Sequence, residues 1–211
     1  MAAQIDALFV TRLYRASLAE ERDFAAFNAE LEDACRGIAE DDAAGRAWSK
    51  THGYRGYTSY ASLTDLPTRA SVFGQLKRRL DRHAAAFADA LHFDLGGRRL
   101  RLDSLWINVL RPGGAHSGHI HPHSVLSGTL YVALPPGAGA IRFEDPRLSR
   151  MMAAPPRRPD APEEARTFVR REPAPGDILM WESWLRHEVE THAGASRGGE
   201  RVSLSFNYAW G

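Results

Sequence analysis

The sequence predicts an α+β fold in which two N-terminal amphipathic helices pack on one sheet of a two-sheet antiparallel β core. Three observations predict it. Apolar residues recur at helical spacing in two stretches before residue 97. From Arg98 onward, short runs of strand-like composition follow one another. Turn residues punctuate those runs at Pro112-Gly113-Gly114, Pro135-Pro136-Gly137 and Pro175-Gly176-Asp177. Many short strands closed by such turns argue for a sandwich or barrel, and a sheet face supplies the partner surface that the helical stripes need. The 211 residues fit one domain, with 1–97 as helical support and 98–211 as the β core.

In chain order, a strand-like run from Leu8 to Tyr14 leads to Ser17, which reads as a helix N-cap with Glu20 completing a capping box. Phe24, Phe27, Leu31 and Ile38 then recur at helical spacing, and Cys35 among them reads as a small buried hydrophobe. The acidic stretch Glu40 to Asp42 reads as a solvated face, and the Tyr- and Gly-rich segment from Gly53 to Pro67 as loop. A second helix carries Val72, Phe73, Leu76, Leu80, Phe87 and Leu91 on one stripe, with His83 and His92 as surface histidines. Gly96-Gly97 reads as a hairpin turn. Candidate strands are Arg98 to Leu102, Ser104 to Leu110, Val125 to Leu134, Ile141 to Glu144, Arg166 to Arg171, Asp177 to Trp181, His187 to Thr191 and Arg201 to Tyr208. Four of the twelve prolines crowd into Ala154 to Pro162, a polar loop that reads as an insertion in preference to a lid.

Composition narrows the function. A net charge of +1 and a pI near 8.0 give no global basic field for nucleic acid or an anionic membrane. No apolar run approaches the ~20 residues needed to span a bilayer, and the opening residues lack the pattern of a secretory signal. The single cysteine excludes an internal disulfide and suits a reducing cytoplasm, the expected location. The partners to expect are a small-molecule or peptide substrate and neither nucleic acid nor membrane; a homodimer is compatible with the sequence.

The chemistry concentrates in His119-Ile120-His121-Pro122-His123 and in His187, 66 residues after His121. Alternate residues of a strand share a face, so His119, His121 and His123 would point the same way. Two such histidines and one from a distant strand can bind a metal and leave positions open. Pro122 cannot donate to a β ladder, which puts the pair at a strand end. Arg201-Val202-Ser203 places a cation beside a hydroxyl on one strand face, a fork that suits a carboxylate. The blander readings are a solvated histidine loop and a surface arginine.

The order Asn108, Pro112-Gly113-Gly114, His119-x-His121, Gly176-Asp177, His187-Glu188-Val189, Arg201-x-Ser203 resembles the Fe(II)/2-oxoglutarate-dependent dioxygenases. More narrowly, His119 to Val132 is similar to an oxygenase subfamily carrying H-x-H-P-x-S-x-x-S-G-x-x-Y-V. The resemblance covers roughly residues 104–208. It implies a double-stranded β-helix core of jelly-roll or cupin-like type, Fe(II) and 2-oxoglutarate as cofactors, and decarboxylation of 2-oxoglutarate coupled to hydroxylation of a C–H bond. It further implies His119 and His187 as metal ligands, Arg201 with Ser203 on the far carboxylate of 2-oxoglutarate, and Asn108 and Tyr131 as further co-substrate contacts.

The sequence departs from the family where the usual pattern is His-x-Asp/Glu. His121 stands at that position and raises the charge of the metal site by one unit; dianionic 2-oxoglutarate would balance divalent iron held by three neutral imidazoles. His121 is the expected third ligand, with Glu144 or Asp145 as the alternative, and His123 a supporting or substrate-side group. Halogenating relatives vacate this position for a halide, whereas His121 would fill it. A cupin not using 2-oxoglutarate is the competing enzyme reading, but its first motif wants Glu where Val125 and Leu126 stand. A non-catalytic metal-binding β domain is the other, and it would not need Arg201-x-Ser203. His-Glu-x-x-His and Gly-x-Gly-x-x-Gly are missing, and Ser127-Gly128 lacks the pattern of a nucleophile elbow. The substrate is not readable from the sequence.

Overall fold

The β core is built from two antiparallel sheets facing one another. The computed structural model describes residues 2–193 and 199–211. In chain order the elements are β1 (Tyr14–Ser17), α1 (Phe24–Asp41), α2 (Ala43–Thr51), β2 (Gly56–Thr58), α3 (Leu66–Arg69), α4 (Ser71–Ala90), β3 (Leu100–Leu110), β4 (His116–His119), β5 (Leu126–Ala133), β6 (Ile141–Glu144), β7 (Phe168–Arg171), β8 (Asp177–Glu182), β9 (His187–Val189) and β10 (Arg201–Trp210). Among the described residues the larger sheet runs β1-β8-β5-β10-β3-β2 and the smaller β4-β9-β6-β7. This is the double-stranded β-helix, with helices on one sheet.

The period of two along the central strands decides what each face holds. On β10, Val202, Leu204, Phe206 and Tyr208 join one apolar cluster with Phe27, Leu31, Leu76 and Phe87 from the helices. The residues between them, Arg201, Ser203, Ser205 and Asn207, line a cavity on the other face. Strand β3 repeats the division, with Leu105, Ile107 and Val109 in the helix-side core and Ser104, Trp106 and Asn108 on the cavity. Tyr131, Leu179 and Trp181 of the larger sheet meet Ile141, Phe143 and Leu185 in a second cluster.

Several sequence expectations shift. The opening strand is Tyr14–Ser17, because its ladder with β8 begins at Tyr14↔Met180, and Ile5, Leu8, Phe9 and Val10 before it are exposed. Ser17 ends that strand and caps no helix. The chain turns at buried Leu18, whose N–H donates to Gly176 O at 2.9 Å, and α1 starts only at Phe24. The segment read as loop contains β2, whose ladder with β3 includes Thr58↔Asn108. The two strands expected over 98–110 are one, β3, with a register shift opposite Asn207 and Tyr208. Asp42 is not merely solvated: its carboxylate accepts from Gly45 N–H, Tyr57 Oη and Ser62 Oγ, capping α2. Cys35 is buried, as read. His83 is half-buried beside the Tyr14 hydroxyl at 2.8 Å. The proline-rich loop folds back on itself through Arg171–Glu163 and Arg166 Nε to Ala161 O, and it contributes no residue to the cavity wall. Among the described residues, no helix is long and apolar enough to cross a membrane.

Candidate metal centre

His119 ends β4 and His187 opens β9, and the two are direct partners in the ladder between these strands. His121 lies beyond the strand end, where Pro122 begins a turn; its N–H donates to Ser183 O at 2.9 Å. Strand alternation therefore does not carry all three histidines of the run. His123 falls in the turn, exposed at the cavity rim and outside the cluster. One nitrogen from each of His119, His121 and His187 lies within 4.8 Å of the other two.

Their hydrogen bonds show which nitrogen is available. His119 Nδ1 lies 2.7 Å from Ser117 O, His187 Nδ1 2.9 Å from Leu185 O, and His121 Nδ1 2.7 Å from Asn207 Oδ1. Each of these oxygens accepts, so each Nδ1 carries the proton and each Nε2 keeps its lone pair. His121 Nε2 is buried with no hydrogen-bond partner. An orphaned buried acceptor is costly, and a metal at the point where the three nitrogens converge would satisfy it. Burial also favours, at His121 and His187, the neutral state a metal requires. Burial, reinforced by neighbouring His119, lowers His187 to about 3, and burial lowers His121 although its bond to Asn207 works the other way. Neither carboxylate alternative belongs to this cluster: Glu144 pairs with Arg186 at 3.2 Å, and Asp145 accepts two side-chain bonds from Arg147 at 2.9 and 2.8 Å.

The histidines share a cavity of about 690 Å³ with Arg201, Ser203 and Asn108. Arg201 is 1% exposed and donates from Nη1 to Ser203 Oγ at 2.9 Å. Its charged group stands 5.2 Å from the centre of the Tyr131 ring, and no carboxylate pairs with it among the described residues. Its Nε has no acceptor, and the Tyr131 hydroxyl beside it is buried without a hydrogen bond of good geometry. Burial pulls Arg201 below its usual range and pushes Tyr131 up to about 12. A buried cation without a counter-charge is strongly unfavourable, so the cavity is chemically incomplete without an anion. Asn108 is already engaged: Oδ1 accepts from Thr58 Oγ1 at 3.0 Å and Nδ2 donates to Ser205 Oγ at 3.0 Å.

Tyr54 and His116 are among the cavity residues that the sequence reading missed. Tyr54 Oη lies 2.7 Å from His116 Nε2 and 3.3 Å from Asn108 Oδ1. Burial, then the charge of Arg201, lowers His116 to about 3. His116 breaks the His-x-His spacing, and Tyr54 sits in a segment without periodicity; only the ladder between β2 and β3 brings that segment to the cavity. Trp48, Tyr60 and Trp106 border the same cavity, with the Tyr60 and Trp106 rings edge-to-face at 5.4 Å.

Comparison with known proteins bears on this arrangement. Residues 104–207 match the model of a family described as "Putative 2OG-Fe(II) oxygenase". No curated protein matches the sequence. Among solved structures, a prolyl-4-hydroxylase from Pseudomonas putida is similar at 18% identity and TM-score 0.61, covering 94% of this chain and 92% of that one. The epimerase SnoN in complex with Fe3+, alpha ketoglutarate and nogalamycin RO is similar at 16% identity and TM-score 0.61, covering 94% and 79%. EctD from S. alaskensis, with 2-oxoglutarate and 5-hydroxyectoine, is similar at 15% identity and TM-score 0.61, covering 94% and 72%. At these identities the structural likeness speaks to the fold.

Proposed function

Because the chain belongs to the Fe(II)/2-oxoglutarate-dependent oxygenases, we propose that His119, His121 and His187 are its three protein ligands to iron and that Arg201 with Ser203 holds the far carboxylate of 2-oxoglutarate. The observation that carries this reading is the pairing, in one cavity, of three converging Nε2 lone pairs with a buried guanidinium that lacks a counter-ion. A bare metal-binding domain needs only the first; the second suits a dianionic co-substrate reaching from metal to arginine. When bound, iron with 2-oxoglutarate supplies the oxidation: one oxygen atom of O₂ enters succinate, formed with CO₂, and the other converts a substrate C–H into C–OH.

The protein's own groups orient and exclude. Three fixed imidazoles leave coordination positions open for co-substrate and oxygen, which a site closed by protein ligands could not do. The Arg201 fork would hold the far end of 2-oxoglutarate through charge-assisted bonds, and the unpartnered Tyr131 hydroxyl beside it supports a second donor to the same carboxylate. Asn108, held by Thr58 and Ser205, acts as a wall that sets the co-substrate's orientation; its remaining amide N–H is the one donor it can offer. Trp181 and Val189 line the cavity with His187, the Trp181 ring 4.5 Å from the His187 ring. Trp48, Tyr60 and Trp106 line the same cavity and offer aromatic surface to a small-molecule substrate.

Anaerobic reconstitution with Fe(II) and 2-oxoglutarate tests the reading: a weak visible charge-transfer band should form in the native protein and be lost in His121→Ala together with iron. Iron stoichiometry unchanged in His121→Ala would remove it from the ligand set. A metal-loaded protein giving neither the band nor succinate on admission of oxygen would refute the co-substrate assignment.

A further inference from the structure

The three candidate ligands are not oriented in the same way. His119 and His187 each give their Nδ1 proton to the backbone carbonyl two residues earlier, Ser117 and Leu185. Those acceptors come with the local chain path and survive any side-chain substitution. His121 lies beyond the strand end and uses a side chain from the opposite sheet, Asn207 on β10. We propose that Asn207 is the positioning residue that makes His121 a metal ligand: its amide oxygen fixes the Nδ1–H tautomer and the ring direction, and so presents Nε2 to the metal. This rests on His121 being a ligand.

Asn207 is itself held from three sides. It is 8% exposed, its Oδ1 accepts from Ser127 Oγ at 2.8 Å, and its Nδ2 donates to Ser104 Oγ at 3.1 Å. With Oδ1 towards His121, Ser127 Oγ donates to the amide oxygen and Ser104 Oγ accepts from its nitrogen, so both ends of the amide are engaged. Ser127 Oγ is in turn 2.7 Å from Ser183 Oγ, and Ser183 O accepts the N–H of His121. The ring closes: backbone and side chain of one ligand are both fixed through Ser183, Ser127 and Asn207. The Ser127 of the H-x-H-P-x-S-x-x-S-G run thereby acquires a role, as the hydroxyl that holds the ligand's support in place.

The chemistry of Asn207 also bears on charge. With His121 where relatives carry a carboxylate, the first shell has one negative charge fewer, and a neutral amide behind His121 does not restore it. A carboxylate at 207 would restore it one hydrogen bond away, since partners of this kind raise the basicity of a ligating imidazole. The alternative is that Asn207 merely satisfies buried polar groups shared by β3, β5 and β10.

The test compares Asn207→Leu, branched at the same carbon, with Asn207→Asp and with His121→Ala, each titrated anaerobically with Fe(II). His121→Ala establishes whether His121 is a ligand; if it binds iron as the native protein does, both that reading and this proposal fall. If it binds more weakly, the expected result is a 10- to 100-fold loss of iron affinity in Asn207→Leu. Asn207→Asp should bind at least as tightly as native. Its Fe(II)–2-oxoglutarate band should move to longer wavelength, because a more electron-rich metal gives up charge at lower energy. Native affinity in Asn207→Leu overturns the proposal with the ligand reading intact. Equal weakening in Leu and Asp variants reduces Asn207 to a structural group and overturns it too. Nitrogen-15 NMR of the metal-free native protein needs no variant: the proposal requires His121 protonated at Nδ1 and bare at Nε2, and the opposite tautomer refutes it.

Discussion

Arg201→Leu should separate co-substrate binding from folding. In the metal- and ligand-free protein Arg201 is a 1%-exposed cation whose side-chain hydrogen bond goes to the Ser203 hydroxyl. Replacing an uncompensated buried charge by an apolar side chain of lesser polarity is neutral or stabilising in comparable sites, so the apo variant should melt at or above the native temperature. The loss appears only with 2-oxoglutarate. Truncating one partner of a buried, hydrogen-bonded charge pair costs about 3–5 kcal/mol, which is roughly two to three and a half powers of ten in Kd. For the native protein with 2-oxoglutarate at a hundred times its Kd, binding adds about 2.7 kcal/mol of stability. In a chain of this length that is an increase in Tm of about 5–10 °C. Differential scanning fluorimetry under nitrogen, with Fe(II) present and 2-oxoglutarate titrated, reads both quantities. The expected pattern is a ligand-dependent rise in Tm in the native protein and none in Arg201→Leu, with Fe(II) affinity equal in the two. A full 2-oxoglutarate shift in the variant would refute the reasoning, because the carboxylate would then have its anchor elsewhere. A large drop in apo Tm would refute the other half, that the arginine is a burden on the empty fold.

Gly128→Ala should destabilise the protein by about 1–3 kcal/mol, the usual cost of overpacking, since the new methyl would stand 2.5 Å from the Phe206 ring and 2.6 Å from Leu179 O; equilibrium denaturation of that variant would show it, and native stability would mean the β5–β10 contact is looser than described. For Asp42, burial alone would raise the carboxyl, but hydrogen bonds from Ser62, Gly45, Tyr57 and Ala44 outweigh it and hold the group below its ordinary value of 3.8. A depressed carboxyl contributes stability above its unfolded pKa and loses it as pH falls through the folded one, so Asp42→Ala should lower Tm at pH 7, by the equivalent of about 1 kcal/mol, and narrow its gap to native below pH 3.8. A gap that widened in acid would contradict the sign. Cys35, buried and with its thiol pushed up by burial, should resist thiol reagents in the native protein and react on unfolding; stoichiometric labelling under native conditions would count against the α1 packing.

What the sequence determined by itself is what local periodicity can carry. The helical stripe of Phe27 and Leu31 and that of Leu76, Leu80 and Phe87 are legible because burial on a helix repeats within a few residues. The alternation in Arg201-Val202-Ser203 likewise puts a cation and a hydroxyl on one strand face. The family resemblance added the roles of His119, His187 and Arg201. Tertiary structure alone decided the rest, because convergence depends on register between strands far apart in sequence. The ladder pairing His119 with His187 brought two of the histidines together, and the turn at Pro122 swung His121 in beside them rather than the alternation expected of a strand. The close cluster consists of the three histidines, and the same packing paired Glu144 with Arg186. It carried Tyr54 and His116 into the cavity from segments with no periodic signal, and it set Asn207, 86 residues from His121, at hydrogen-bonding distance from that ring. A residue's face is written in its neighbours along the chain; its partners across the sheets are fixed only when two hydrophobic faces settle against each other.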